Sequence, residues 1–415
     1  MEFIWVLLKS SQRLTLCACT YDNNPTFIAM TPIESGEMNG LAVRLKTRKW
    51  AEGLIFVIAM WFLSRLLVVV AIQVIAPLSN IAPVTHGGTL PLGFSPGFVP
   101  KTSWDLFSHW DGAWYRKIAT LGYEYTDDGK YHTVAFFPLF PLIARGVMTF
   151  GLSFEVAATL VNNLALLGAM LVLYLWAQER YNINTARWST AVLAWCPLSL
   201  YGTVIYTEGL FLLVTTAALR AFDNSQYTKA AIFGAMATAT RSTGLMLFPS
   251  FLIVAWKEKR PKSAYFAALI TTAGLLLFSL HCAIRFGDPL AFVHVQRAWT
   301  WQHPPWSDVF AKALSLSKEN LLRVVMFFGG GYLLWHLRKR LPLIAVVYGF
   351  ASLAMIQATG ALSSVSRYVY GIVSISLALG LLLERHPRWG YLTLGFFVIL
   401  LAGFAIKFAW WYWIA

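Results

Sequence analysis

Long apolar runs separated by short polar connections dominate the chain, and their lengths set the first expectation. A hydrocarbon core about 30 Å thick takes roughly 20 residues of helix to cross, and runs of that order cover Trp50 to Ala76 and Glu155 to Gln178. The pattern continues over about 187–206, 208–223, 228–241, 244–257, 263–285, 319–337, 341–359, 365–384 and 389–413, which makes about eleven predicted transmembrane helices. The weakly alternating segments of about ten residues that build a membrane β-barrel are missing. The predicted fold is therefore an all-α polytopic bundle.

Two stretches interrupt the pattern. Residues 77–153 hold no run both long and apolar enough to span, and predict a large first external loop with two interfacial helices. One is amphipathic, about Asp105 to Leu121; the other, Phe136 to Phe150, is broken at its start by Pro138 and Pro141 and carries Arg145. Residues 286–318 predict a second external loop, rich in tryptophan. Residues 1–49 read as a disordered cytoplasmic leader, or as residues upstream of a start at Met30 or Met38, ahead of a single membrane domain over 50–415. A cleavable signal peptide fits poorly, because the apolar stretch Met1 to Leu8 is short and no basic region precedes it.

Composition agrees with a membrane chain: 58% of residues are hydrophobic, 13% are charged and the mean hydropathy is +0.59, against about 25% charge in soluble domains. The net charge of +14 belongs to orientation, because many of the Lys and Arg crowd the short connections. With Arg44, Lys46, Arg48 and Lys49 on the cytoplasmic side, the basic connections near Arg180, Arg220, 257–262, 338–340 and Arg385 all fall on that side. A crossing at 136–152 would move the two densest, 257–262 and 338–340, outside. Nucleic acid is thus not an expected partner; membrane lipid is. Cys17, Cys19, Cys196 and Cys282 supply neither a disulfide framework nor a ligand set.

The same topology puts the costly polar residues on one face: Asp105, Asp111, His132, Glu208, Arg241, Arg285, Asp288, Gln296, Arg297, His303 and Arg367. Ionisable groups at membrane depth mark function more often than packing. Asp111, flanked by His109 and Trp110, is a candidate general base for an acceptor hydroxyl, and equally a helix cap. Glu208 opens a span beside Tyr206 and is a candidate second acid, or a charge complementing its own helix terminus. Arg241, Arg367 with Tyr368, and Arg297 are candidate phosphate binders, since guanidinium forks match phosphate oxygens; for Arg241 and Arg367, snorkelling or an ion pair with Glu208 is the alternative. His109, Trp110, His132, Gln296, Trp299, Trp301 and His303 offer flat apolar faces with donors around them, as a sugar or acceptor pocket requires. No HExxH, DxD, P-loop or GxGxxG stands in proper context. No cofactor and no metal ligand set is expected, with a divalent cation near Asp111 and Glu208 left open.

Several motifs together resemble the PIG-V family, the GPI mannosyltransferase II enzymes and their prokaryotic relatives in the GT-C superfamily. They are Trp110-Asp111-Gly112 with Ile118-Ala119 and Gly122-Tyr123, Ala135-Phe136-Phe137-Pro138-Leu139-Phe140-Pro141, Tyr206-Thr207-Glu208-Gly209-Leu210-Phe211, Arg241-Ser242-Thr243-Gly244, Gln296 with Trp299, and Arg367-Tyr368. The resemblance runs from about residue 50 to 385. It implies a GT-C-like bundle and an inverting glycosyltransferase, with Asp111 at the family's loop acid, Glu208 at its second acidic motif and Arg241 at its basic turn. The implied donor is a polyprenyl-phosphate sugar and the implied acceptor a glycan or glycolipid, with mannose inherited from the family. The expected home is the bacterial plasma membrane, or the ER membrane for a eukaryotic chain. A lipid-linked sugar transporter or flippase is the rival; it calls for internal repeats and polar groups near the midplane of several helices. The chain shows no repeat and its polar groups are one-sided.

Overall fold

The computed structural model describes residues 35–79, 81, 92–95, 97–302, 305–315, 318–360 and 362–414. Expectations for residues 1–34 and His303 lie outside the described residues, as does the side chain of Trp301. Helices and short 3-10 or π turns make up the regular structure, with no strand among the described residues.

Among the described residues, four helices are long and apolar enough to cross a membrane: Ala51–Leu78, Phe154–Arg180, Lys262–Phe286 and Pro387–Ala409. The pair Leu362–Tyr370 and Val373–Arg385, bent by 61°, would make a fifth. The shortest of the four, at 23 residues, is about 35 Å long at 1.5 Å per residue, enough for the hydrocarbon core. Their outward faces are apolar stripes at helical spacing. Ile55, Ile58, Phe62, Leu66 and Val69 are exposed on the first, and Trp389, Leu392, Phe396 and Ile399 on the last. Such stripes suit lipid, not water.

The expected runs between those spans are helical too, but short. Ile183–Trp195 has 13 residues and Tyr227–Thr240 has 14, only about 20 Å each. Ile183–Trp195 lies in the most enclosed part of the chain: from Thr185 to Asp223 every residue except Leu213 and Arg220 is buried, whereas Tyr227–Thr240 keeps Thr228, Lys229 and Ile232 exposed. A helix buried on nearly every side, its polar side chains included, belongs inside a bundle, where neighbours and not lipid surround it. Periodicity counts such a helix as a span. The first helix also begins earlier than expected, at Ser35. Leu139–Met148, inside the run whose crossing would invert the topology, has ten residues, about 15 Å or half the hydrocarbon thickness.

The helix Glu208–Asp223 positions both ends of the core. At its start the Gly209 N–H donates to Asn162 Oδ1 at 2.9 Å, while Asn162 Nδ2 donates to the carbonyls of Tyr201 and Val204 at 2.7 Å. A Cβ at Gly209 would lie 2.4 Å from the Asn162 carbonyl oxygen, so only glycine permits this approach. Arg65, buried on the first span, fastens the preceding 3-10 turn through Ser199 and Thr203.

At the other end, the basic connections meet one another. Arg180 Nε donates to Asp223 at 2.6 Å, Arg220 Nε to Glu179 at 3.0 Å, Tyr181 to the Arg340 carbonyl at 2.8 Å and Asn182 to Glu384 at 2.7 Å. Arg260 donates to the Phe222 carbonyl. The connections at 180–182, 220–223, 257–260, 338–340 and 384–385 therefore share one end of the bundle, opposite Glu208, as the charge pattern predicted.

Candidate active site

Asp111 is the first residue of the helix Asp111–Leu121, and its side chain caps nothing. The preceding Trp110 takes φ 57° and ψ −115°, a conformation that is strained for a bulky residue. Its ring lies 4.9 Å from Trp413 and 5.7 Å from Trp411, so aromatic packing holds the unusual turn that presents Asp111. The backbone N–H of Asp111 donates to Tyr206 Oη at 3.4 Å.

The carboxylate of Asp111 instead meets Arg367, whose Nη1 donates to Oδ2 at 2.5 Å across 256 residues of sequence. No hydrogen bond engages Asp111 Oδ1 among the described residues, and the side chain keeps 19% exposure. Arg367 is only 5% exposed, and its Nε stands 3.4 Å from Glu208 Oε1. Glu208, fully buried, pairs with Arg241 through that same oxygen. Glu208 thus ties the two arginines together from behind, and its Oε2 has no hydrogen-bond partner among the described residues. The ion pair of Arg241 and Glu208 is present in the structure, and the Glu208 carboxylate is enclosed behind the two guanidiniums.

Arg241 sits at an extended residue, φ −156° and ψ 147°, between the helix Tyr227–Thr240 and the turn Ser242–Met246. That turn folds back so closely that a Cβ at Gly244 would lie 2.6 Å from the Ala237 carbonyl. The guanidinium of Arg241 lies 4.9 Å from the Tyr368 ring centre, and that of Arg367 lies 5.3 Å from the same ring and 5.0 Å from Tyr206. These rings shield the cations on their apolar sides without satisfying their N–H groups. Among the described residues, neither Nε nor Nη2 of Arg241 makes a hydrogen bond.

Asp111, Arg241, Arg367 and Tyr368 line one cavity of about 420 Å³, with Gln296 and Trp299 also on its wall. Trp299 comes from the Trp-rich segment and contacts Trp114, Tyr131 and Phe136 at ring separations of 6.2, 4.7 and 6.1 Å. Residues remote in sequence therefore converge on an acid, two guanidiniums and flat aromatic faces. No group of three or more metal-capable side chains occurs among the described residues.

Other expected pocket residues are placed elsewhere. His109 is buried, stacked on Trp411 at 4.0 Å, and its Nδ1–H donates to the Phe408 carbonyl at 3.1 Å. Burial in this aromatic cluster pushes its pKa down to about 4, so it is a neutral packing residue behind the cavity. Trp110 belongs to the same cluster. His132 bonds Asp128 at 2.8 Å in the loop, and neither it nor the exposed Arg297 lines the cavity. Thr207, Ser242 and Thr243, from the motifs quoted above, do line it, as does Tyr115, which lies between Gly112 and Ile118. Met355 and Thr359 also line it, from the predominantly apolar helix Leu343–Thr359, whose pattern carries no signal of a site.

A model of the family described as Mannosyltransferase (PIG-V) matches residues 52–273, more than half of the chain. The chain belongs to this family. The matched PIG-V region takes in Asp111, Glu208 and Arg241, while Gln296, Trp299 and Arg367 lie beyond it and are joined to it by the fold. Among solved structures, the chain is similar to ArnT from Cupriavidus metallidurans bound to undecaprenyl phosphate, at 16% identity over 68% of this chain and 56% of that one, with a TM-score of 0.48. It is similar also to the Archaeoglobus fulgidus oligosaccharyltransferase in complex with Zn and sulfate, at 14% identity over 83% of this chain and 53% of that one, with a TM-score of 0.47. The chain thus spans little more than half the length of these proteins. No curated protein matches it.

Proposed function

We propose that this PIG-V protein is an integral-membrane inverting glycosyltransferase that moves mannose from a polyprenyl-phosphate donor to a hydroxyl of a glycan or glycolipid at the non-cytoplasmic face. The observation that carries this reading is the Asp111 carboxylate at the cavity wall, with one oxygen held by Arg367 and the other unengaged. Asp111 Oδ1 takes the proton of the acceptor hydroxyl as that oxygen forms its bond to the anomeric carbon. The bond from that carbon to the phosphate oxygen breaks on the opposite side, and the polyprenyl phosphate leaves with the electron pair. Arg241 and Arg367 meet its charge with donors set in place beforehand. Trp299 and Tyr115 supply faces for the sugar, and Gln296 a side-chain amide for its hydroxyls.

Sidedness follows from charge. The basic connections gather at the end of the bundle opposite Glu208, and short basic connections face the cytoplasm. The four charges of the site, two of each sign, cancel, so donor selection depends on guanidinium geometry and not on a net field. The test offers purified protein polyprenyl-phosphate mannose, glucose and arabinose in turn, and reads the anomeric configuration of the product by NMR. Transfer of mannose with inversion is expected; retention, or turnover without a lipid-phosphate donor, contradicts the mechanism.

A further inference from the structure

A second cavity, of about 270 Å³, lies beyond the far end of the helix Asp111–Leu121 and has basic residues on its wall: Arg145, His281 and Arg285, beside Leu121 and Leu142. It is separate from the reaction cavity. Tyr123, on its wall, donates through Oη to the Phe136 carbonyl at 2.9 Å, and Phe136 lines the other side of that partition. Ile118, which faces this second space, stands about 10 Å along the helix axis from Asp111.

Arg145 closes the helix Leu139–Met148 and Arg285 the helix Ala273–Phe286. A cation in a last turn complements the helix dipole, which accounts for each arginine alone. It does not account for both converging on one cavity. Among the described residues neither guanidinium has an ion pair or a hydrogen bond, while the carboxylates nearest them in sequence are engaged elsewhere: Glu155 by Arg116, and Asp288 by His294 and Tyr125.

The surroundings of the cavity are apolar and open. Leu121 is 80% and Leu142 57% exposed. On the membrane-length helix Lys262–Phe286, Phe266, Leu269, Ile270, Leu277, Leu280 and Ile284 are also exposed, at spacings that put them on one face, and the last of them adjoins Arg285 in sequence. From Phe266 to Ile284 that apolar face runs about 27 Å, enough for a hydrocarbon chain, and with two unpaired guanidiniums at the same end of the helix it matches a lipid with a phosphate head better than a free anion.

The geometry points to a second lipid site: Arg145 and Arg285 hold the phosphate of an anionic phospholipid of the bilayer, with its acyl chains along Leu277, Leu280 and Ile284. Interfacial basic residues each contribute about fivefold to the affinity for anionic lipid. Losing both predicts roughly 25-fold weaker binding.

The test uses the full-length protein, purified and reconstituted in nanodiscs of phosphatidylcholine with or without phosphatidylglycerol of the same chains. Retained lipid is counted by native mass spectrometry and stability read as the thermal midpoint. Wild type is expected to retain phosphatidylglycerol and melt later in its presence. The double variant Arg145→Ala/Arg285→Ala is expected to lose both effects, and Arg145→Lys/Arg285→Lys to keep most of them. Neither arginine lines the reaction cavity, so sugar transfer in phosphatidylcholine alone stays at the wild-type rate in both variants, which separates this site from the proposed reaction. Equal retention by the alanine variant, equal binding of phosphatidylcholine, the same stabilisation by inorganic phosphate, or retention of added polyprenyl phosphate alone would each overturn the assignment.

Discussion

Arg367 is the residue through which the site is assembled, and replacing it by lysine separates charge from geometry. Its Nη1 reaches Asp111 at 2.5 Å while its Nε stands 3.4 Å from Glu208. Counted along the side chain, lysine Nζ falls where arginine has Cζ, one bond short of Nη1. Arg367→Lys therefore keeps a cation beside Glu208 and gives up the bond that orients Asp111. A hydrogen bond between charged groups contributes about 1.5–3 kcal/mol, and each 1.36 kcal/mol is tenfold in rate, so kcat/KM should fall roughly 10- to 150-fold. The fall should lie mainly in kcat, because lysine still meets phosphate as a point charge. The assay is steady-state transfer by purified protein with polyprenyl-phosphate mannose, with the thermal midpoint measured alongside. A variant within threefold of wild type in kcat/KM, at an unchanged midpoint, would refute the claim that Arg367 orients the acid.

Gly244→Ala should abolish transfer while leaving membrane insertion intact, because its Cβ would press on the backbone of Ala237 and Thr238 at 2.6–2.8 Å and displace the turn that carries Arg241; phosphate-donor binding measured by calorimetry should weaken in parallel. Glu208→Gln leaves two buried guanidiniums facing one carboxylate, and should cost about 3–5 kcal/mol, seen as a lower unfolding midpoint that raised salt does not restore. His109 stays neutral in the folded protein down to about pH 4, whereas the unfolded chain takes up the proton near its ordinary value of about 6.5. Stability contributed by the neutral imidazole is therefore present above pH 6.5 and lost as pH falls toward 4, by about 3 kcal/mol in all. His109→Phe, which keeps the stacking on Trp411, should show a smaller drop in midpoint between pH 7.5 and 5 than wild type; an equal drop would place the titration elsewhere.

The chain's pattern carried the parts of the fold that depend on lipid. Apolar stripes such as Ile55 to Val69 and basic connections such as 257–262 are local signals of membrane and side, and both reappear in the bundle. Interior helices were legible as helices only, because Ile183–Trp195 is buried on every face and periodicity cannot tell protein from lipid as its surroundings. In the candidate site, Asp111, Arg241 and Arg367 stood out because charge in an apolar run is costly. An Arg241–Glu208 ion pair was open as an alternative, but the pairing of Asp111 with Arg367 was not legible: contact across 256 residues depends on tertiary packing, and Glu208 looks the same in sequence whether its carboxylate faces a substrate or the back of two arginines. His109 misled for the opposite reason, since a polar residue beside a candidate acid is as readily a donor to a backbone carbonyl in an aromatic core. Met355 and Thr359 carried no signal, for nothing distinguishes the cavity-facing side of an apolar helix from its lipid-facing side.

The central claim is that the Asp111 carboxylate removes the acceptor proton. Asparagine in its place would keep the size of the side chain and a hydrogen-bonding oxygen for Arg367 but cannot take up a proton, so Asp111→Asn tests the chemistry with the least disturbance of the site. Single-turnover transfer from polyprenyl-phosphate mannose, measured with donor binding and thermal midpoint on the same preparation, is the direct experiment. A general base contributes about 10²–10⁴-fold, so the predicted result is a loss of rate of that size with donor affinity retained. A variant that binds donor and turns over at the wild-type rate would contradict the account.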